Sequence, residues 1–258
     1  MSPPARPSPA NMPQRRRPVI PTKLSGPARS EFRKATGIPR RGWDDATVWP
    51  DAGILLLLGT AEDLPGRFAR HYHGRARIPR KIENEVRGHS SGGGTTDMEQ
   101  RKSRAATAVV RALFLGSGTF PKLELTDADL PLVDRVITAL KNLPGGKGKA
   151  HGGEAVLIAL AVRHKRATGE RQVLLSNDGG ASVVAALHDV PTRHAGDVLA
   201  ELACADTKLA PARCLKLFIA SCLVSTPPAS CRPADDSAFR CSRSGSACTP
   251  CDAVDGAA

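Results

Sequence analysis

Four acidic side chains are candidates for one shared catalytic site, and they are Asp51, Glu85, Glu154 and Asp178. Gathered in one cleft, these carboxylates would repel one another strongly. A hard divalent cation relieves such repulsion, and Mg²⁺ and Mn²⁺ prefer oxygen ligands. A cation held in this way polarises a phosphodiester and generates a hydroxide nucleophile. These residue types therefore favour metal-dependent hydrolysis.

The segments that must position these acids alternate between short apolar strands and amphipathic helices. We predict strands near residues 46–49, 77–78, 122–125, 172–176 and 190–192, and helices over 63–71, 80–87, 99–115, 129–142, 154–165, 180–188 and from 198. This alternation implies an α/β fold with a mostly parallel sheet. Ligands bind beyond the carboxyl ends of parallel strands, so acids just after strands matter more than acids elsewhere.

Two of the acids also have a structural interpretation. Asp178 follows the strand over 172–176 and is placed to cap the helix that begins near Gly180. Glu154 opens a helix after a glycine-rich loop, where a carboxylate complements the helix dipole. A similar role is expected for Asp127 or Asp129 as the N-cap of the helix over 129–142.

Four stretches of the sequence together resemble a PIN domain. They are Val48 to Leu55 (VWPDAGIL), Ile78-Pro79 through Glu85-Val86, Gly153-Glu154-Ala155 through Ala161, and Leu174 to Asp178 (LLSND). The resemblance covers about residues 44–205. It implies a three-layer α/β/α sandwich with a central, mostly parallel sheet. PIN domains are metal-dependent nucleases that act mostly on RNA, and many are toxins of bacterial toxin–antitoxin pairs.

The resemblance also implies a role for each acid. Asp51, Glu85, Glu154 and Asp178 resemble the family's first to fourth acids, which are catalytic and hold one or two Mg²⁺ or Mn²⁺ ions. Glu85 is preferred to Glu83 because its distance from Ile78-Pro79 fits the family better. Ser176 matches a hydroxyl position that helps to hold the metal or its water. The implied reaction is endonucleolytic cleavage of RNA by a metal-bound water, which leaves a 5′-phosphate and a 3′-hydroxyl.

Two departures from the family's pattern lie around Asp51. The family usually has Asn or Ser two residues after its first Asp, whereas Ala52 and Gly53 supply no side-chain hydrogen bond. Pro50 removes a ladder donor from what should be a central strand. These departures keep open a non-catalytic nucleic-acid-binding or regulatory protein on a degenerate PIN scaffold. A toxin masked by a small antitoxin stays open as well, with the apolar segment 215–224 as its docking surface, and the family often forms homodimers.

The net charge of +12 is concentrated in an N-terminal arm. Residues 1–42 hold ten Lys or Arg against one acid, together with nine prolines, so we predict a disordered arm ahead of a domain over 43–225. Such an arm suits RNA, with DNA not excluded, through Arg15, Arg16 and Arg17, and it equally suits a solvated tail. Further candidates for guiding a phosphate backbone are Arg87, Lys147 and Lys149, which a solvated loop explains equally well.

Residues 226–258 are expected to form a flexible tail with four cysteines, namely Cys231, Cys241, Cys248 and Cys251. Their intervals match no standard zinc motif, so free thiols are favoured over a structural zinc site. Cys204, Cys214 and Cys222 lie among apolar residues and are predicted to pack in or near the core. The Pro- and Arg-rich start lacks the apolar stretch of a secretory signal, and no apolar run is long enough to span a bilayer. We therefore expect a cytoplasmic protein with no membrane contact.

Overall fold

The computed structural model describes residues 46–92, 94–115, 120–144, 146, 151–206, 208–225, 232–233 and 235–239. Its strands are all paired in parallel and are β1 (Thr47–Pro50), β2 (Ile78–Pro79), β3 (Lys122–Leu123), β4 (Gln172–Leu175) and β5 (Thr192–Arg193). One sheet has the order β1-β4-β5, and β2 pairs with β3 in a second. A parallel bridge between Val48 and Ala76 connects the two sheets. The α/β class predicted from the sequence is confirmed.

Helices connect the strands throughout the described part of the chain. They are α1 (Ala52–Leu58), α2 (Leu64–His71), α3 (Arg80–Ser91), α4 (Asp97–Val109), α5 (Leu130–Asn142), α6 (Gly152–Thr168), α7 (Gly179–Ala186), α8 (Ala195–Ala205) and α9 (Pro211–Cys222). The helix predicted over 99–115 is not regular to its end, because a π-helical turn over Val110–Phe114 follows α4. No helix among these is long and apolar enough to cross a membrane.

Pro50, together with Pro79 on β2, limits the backbone pairing of the two sheets to one bridge. Val48 faces the second sheet, since its N–H donates to Arg75 O (3.0 Å) and its carbonyl accepts from Arg77 N (2.9 Å). The backbone N–H and C=O groups of successive residues point to opposite edges of a strand. Pro50, two residues after Val48, therefore faces the second sheet as well, but it has no N–H to donate. On the other side of β1, Asp51 N donates to Leu175 O at 2.9 Å and the ladder with β4 is intact. The proline therefore ends one ladder without disturbing the other.

The core contains mainly aliphatic side chains, as the low aromatic content of the sequence requires. Every residue of α6 from Ala155 to Val162 is buried, as is every residue of α1 from Ile54 to Leu58. Trp49 is fully buried and satisfies its indole by donating to Gln172 Oε1 at 2.8 Å. Cys214 is buried, as predicted, and Cys204 and Cys222 are partly buried.

Asp129, one of the two residues predicted to cap α5, stands at its N-cap position, but its side chain makes no capping hydrogen bond to that helix. A 3₁₀ turn over Asp127–Asp129 precedes the helix, and the Asp129 carboxylate accepts from both Thr126 N and Thr126 Oγ1 at 2.8 Å. Asp129 thus bonds backwards to Thr126, and it is not an N-cap that accepts from the turn ahead. It also pairs with Arg163 of α6. The 3₁₀ turn before α5 is therefore tied to α6.

A second 3₁₀ turn, over Asp236–Phe239, packs against α8 and α9. Its Phe239 is buried to 1% exposure. Packed residues thus extend beyond position 225, where we predicted the tail to begin. The basic arm over 1–42 and the four tail cysteines lie outside the described residues.

Candidate active site

The topology brings all four candidate acids to the carboxyl edge of the parallel strands. Asp51 directly follows β1, and Asp178 comes three residues after β4 ends. Glu85 lies in the second turn of α3, which begins where β2 ends. Helix α6 packs on β4 and leads back to its start, so its first turn, with Glu154, lies at this same edge. This is the edge at which α/β proteins bind their ligands.

Asp51 is held by hydrogen bonds to both of its carboxylate oxygens. Oδ1 accepts from Ile54 N at 2.6 Å and caps α1. Oδ2 accepts from the hydroxyl of Ser176, and the same hydroxyl oxygen accepts from Asp178 N at 3.0 Å. Ser176 therefore links the residues that follow β1 and β4.

The surroundings of Asp51 favour its neutral form. Burial is the largest cause, and the negative charges of Glu154 and Asp178 act in the same direction. The hydrogen bonds from Ser176 and Ile54 N oppose them but do not prevail, and the pKa of Asp51 rises to about 7. Asp51, Glu154 and Asp178 are thus close enough to share one electrostatic environment.

Glu85 joins this cluster through Glu154. Partial loss of solvent raises the pKa of Glu85, the charge of Glu154 raises it further, and Lys81 opposes the shift. Helix α6 lies so near that a Cβ at Gly153 would be 2.8 Å from Glu85 Oε2. The glycine next to Glu154 therefore leaves room for the Glu85 carboxylate.

Glu83, the neighbouring acid on α3, lies in a different environment. It is buried, and its Oε1 accepts from Arg87 Nε at 2.8 Å and from Nη2 at 2.7 Å. The Arg87 guanidinium also lies 5.6 Å from the centre of the Phe114 ring. Arg87 is therefore engaged within the fold and is a poorer candidate for an RNA phosphate than its sequence position indicates. Arg15, Arg16, Arg17, Lys147 and Lys149 lie outside the described residues.

The structural roles considered for Asp178 and Glu154 are also present. Asp178 Oδ1 accepts from Ala181 N at 2.8 Å and caps α7. Glu154 lies in the first turn of α6. Within the described ranges, however, Asp178 Oδ2 and the carboxylates of Glu85 and Glu154 have no hydrogen-bond or ion-pair partner. Capping thus uses one oxygen of Asp178 and leaves the other for a ligand.

Three residues next to the acidic cluster were not predicted from the sequence, namely Lys81, Asn177 and Ser225. Asn177 is buried, and its Oδ1 accepts from Ala195 N (2.9 Å) while its Nδ2 donates to Ser225 O (3.2 Å). The exposed Lys81 places its Cε 3.8 Å from where a Cβ at Gly152, the first residue of α6, would lie. The LLSND motif contains Asn177, and Lys81 lies one helical turn before Glu85. No local pattern indicates Ser225.

The oxygen atoms of the four acids suit a hard divalent cation, although their side chains do not surround a single ligand position. In the part of the chain that the structure describes, no three His, Cys, Asp or Glu side chains are arranged so that they could hold a metal ion as they stand. The cluster nevertheless offers oxygen atoms alone, which Mg²⁺ and Mn²⁺ prefer. Its like charges also raise the pKa values of Asp51 and Glu85, and a cation would reverse that effect.

Comparison of the chain with protein-family models, curated proteins and solved structures finds no match.

Proposed function

We propose that the chain is a metal-dependent endoribonuclease with a PIN-like fold. The observation that carries the proposal is the approach of Asp51, Glu85, Glu154 and Asp178 at the carboxyl edge of the strands. Beside burial, the charges of Glu154 and Asp178 raise the pKa of Asp51, and the charge of Glu154 raises the pKa of Glu85. Four acids from separate elements are costly to gather without a cation. A bound Mg²⁺ or Mn²⁺ would offset their charge and polarise a phosphodiester.

The packing of the helices supports the PIN-like sandwich. Helices α5, α6 and α7 pack against one another. A second group is formed by α1, α2, α3 and α4, with α8 and α9 packed on it. Two helical groups around parallel strands are what a three-layer α/β/α arrangement requires. The PIN assignment is part of the proposal and comes from the sequence motifs.

Ser176, Asp51 and Lys81 have different roles in the proposed reaction. Ser176 donates to Asp51 and accepts from Asp178 N, which holds these two acids at a fixed separation. With a pKa of about 7, the Asp51 carboxylate carries a proton for part of the time at neutral pH and must release it for a cation to bind. Lys81 is exposed, lies one helical turn before Glu85 and has no ion pair among the described residues, so its ammonium suits an RNA phosphate.

Cleavage of a labelled single-stranded RNA in Mn²⁺, in Mg²⁺ and in EDTA tests the proposal. The informative variants are Asp178→Asn and Glu154→Gln, because Asn still caps a helix and each change removes one charge. Asp134→Asn, on the exposed face of α5, is the matched control. We expect metal-dependent cleavage by the wild type and the control, and loss of it in both site variants. Wild-type rates in both site variants would refute the assignment.

A toxin held in check by a partner is a second candidate, and exposed side chains on α9 favour it. Ile219 is 60% exposed and Leu223 is 51% exposed, one helical turn apart within the segment 215–224. Cys214, Phe218 and Ser221 on the same helix are buried, so the helix presents an apolar edge to solvent. Co-purification with a small acidic protein that suppresses cleavage would support this candidate.

A non-catalytic nucleic-acid-binding protein is the third candidate. The absence of a closed ligand set among the described residues favours it, as do the apolar positions Ala52 and Gly53. It predicts RNA binding that persists in EDTA and no cleavage with either metal. The same assay therefore separates it from the nuclease.

A further inference from the structure

Position 53 lacks a side chain, and a hydroxyl from a distant part of the chain occupies the adjoining space. Gly53 is the second residue of α1, directly after the Asp51 cap. A Cβ built on Gly53 would lie 2.6 Å from Ser225 Oγ and 3.3 Å from Asp51 Oδ1. Both distances are shorter than an ordinary van der Waals contact, so Ser225 stands where a side chain at position 53 would extend.

Ser225 is fixed in this position by its own bonds. Its N–H donates to Ser221 O at 2.8 Å, just beyond the end of α9. Asn177 Nδ2 donates to Ser225 O at 3.2 Å and to Ser225 Oγ at 3.3 Å. Asn177 is buried and lies between Ser176 and Asp178 in the sequence, so the hydroxyl is tied to the same loop as two members of the acidic cluster.

The direction of these bonds leaves the Ser225 proton available. The hydroxyl oxygen accepts from Asn177, which leaves its own O–H as a donor. Ser225 Oγ and Asp51 Oδ1 lie 2.6 Å and 3.3 Å from the point where a Cβ on Gly53 would stand. The acids here supply no hydrogen-bond donor when they are ionised. A donor next to Asp51 would therefore restrict the orientation of that carboxylate or of water beside it.

We propose that Ser225 is a positioning residue of the acidic site and supplies, from beyond α9, the hydroxyl that position 53 lacks. This inference rests on the proposed metal-dependent function, since the acids it orients are the ones assigned to the cation. Residues that hydrogen-bond to metal-binding side chains and orient them commonly affect metal affinity as much as activity.

Mn²⁺ affinity of the full-length chain, measured by calorimetry, tests the inference without relying on cleavage. Ser225→Gly removes both the hydroxyl and the Cβ, which lies 3.3 Å from where a Cβ at position 53 would be. We expect Mn²⁺ to bind about tenfold more weakly to this variant, the size of effect typical of residues behind a ligand. Ser225→Ala, which keeps the Cβ, should show the same loss and serves if the glycine variant does not fold.

Moving the hydroxyl to position 53 separates positioning from simple packing. The double variant Gly53→Ser/Ser225→Gly returns a hydroxyl beside Asp51 from α1 and should recover most of the Mn²⁺ affinity. Gly53→Ala/Ser225→Gly fills the same space without a hydroxyl and should stay weak. Equal recovery in the two double variants, or wild-type affinity in Ser225→Gly and Ser225→Ala, would overturn the inference.

Cleavage measured on the same variants distinguishes failure of this inference from failure of the proposed function. Cleavage by the wild type with Mn²⁺ affinity unaffected at position 225 overturns the inference alone. Mn²⁺ binding that weakens as expected, without cleavage by the wild type, supports the inference and refutes the nuclease. A wild-type chain that binds no Mn²⁺ overturns both.

Discussion

Asp51 has two roles that act in opposite directions on its ionisation. As the cap of α1 it accepts from Ile54 N, and such a bond favours the carboxylate. As a buried neighbour of Glu154 and Asp178 it is driven toward the neutral acid, and this second influence prevails. A residue in this state responds to both pH and cations near neutrality.

Replacing Asp51 with Asn tests this balance, because the amide keeps the cap and carries no charge. The pKa of Asp51 rises from 3.8 to about 7, so the metal-free folded state holds a proton that the unfolded state releases between these values. The stability contributed by the protonated acid is full below the lower value and is lost as the pH rises through the upper one. We expect the advantage of Asp51→Asn over the wild type to grow between about pH 5 and about pH 8 by on the order of 2 kcal/mol. Urea unfolding in EDTA measures it; parallel pH curves for the two proteins would contradict the raised pKa.

Glu83 and Glu85 provide a matched pair on one helix. Glu83→Gln leaves Arg87 without its buried partner and should destabilise the fold by about 1–2 kcal/mol. Glu85→Gln removes a charge that Glu154 already opposes, so the fold should keep its stability while Mn²⁺ affinity falls. Urea unfolding and Mn²⁺ calorimetry on both variants check this. The opposite assignment of effects would make Glu83 the member of the site.

Among the elements, the turn before α5 shows what one carboxylate can connect. Burial acts to raise the pKa of Asp129, but bonds from Thr126 and Arg163 outweigh it and lower that pKa. The stabilisation is therefore present at neutral pH and is lost as the pH falls through the lowered pKa. Asp129→Asn should cost about 1–2 kcal/mol near pH 7 and less in acid. Exposed Asp127→Asn should cost little at either pH, and equal losses in the two variants by urea unfolding would show that the tie to Arg163 is unimportant.

The sequence predicts the elements of this fold better than it predicts their connections. Apolar periodicity is a local signal, and it places α5, α6 and α7 within a few residues of their observed ends. The acids after β1 and β4 follow from the same signal, because strand ends of a parallel sheet share an edge. Ser225 could not be found in this way, since its partner Asn177 is 48 positions away. The backward bond of Asp129 was missed because a capping rule identifies the residue type and not the direction of its bond.

At the scale of the whole molecule, the described residues after α9 belong to the packed body of the protein. Phe239 is 1% exposed, and its turn packs against both α8 and α9. Phe239→Ala should therefore cost about 3 kcal/mol in urea unfolding, as expected for a buried aromatic side chain. Phe239→Leu should retain most of the stability. A chain ended at residue 225 that unfolds like the wild type would contradict a packing role for this turn.

Pro50 has a consequence for the whole site as well as for the sheet. Asp51 and Asp178 follow strands of the β1-β4-β5 sheet, whereas Glu85 follows β2 of the other sheet. Backbone pairing joins these two sheets at the Val48–Ala76 bridge. An ion bound by acids from both sheets would link the two sheets where Pro50 limits their backbone hydrogen bonding. Binding of the cation would then also restrict the motion of the two sheets relative to each other.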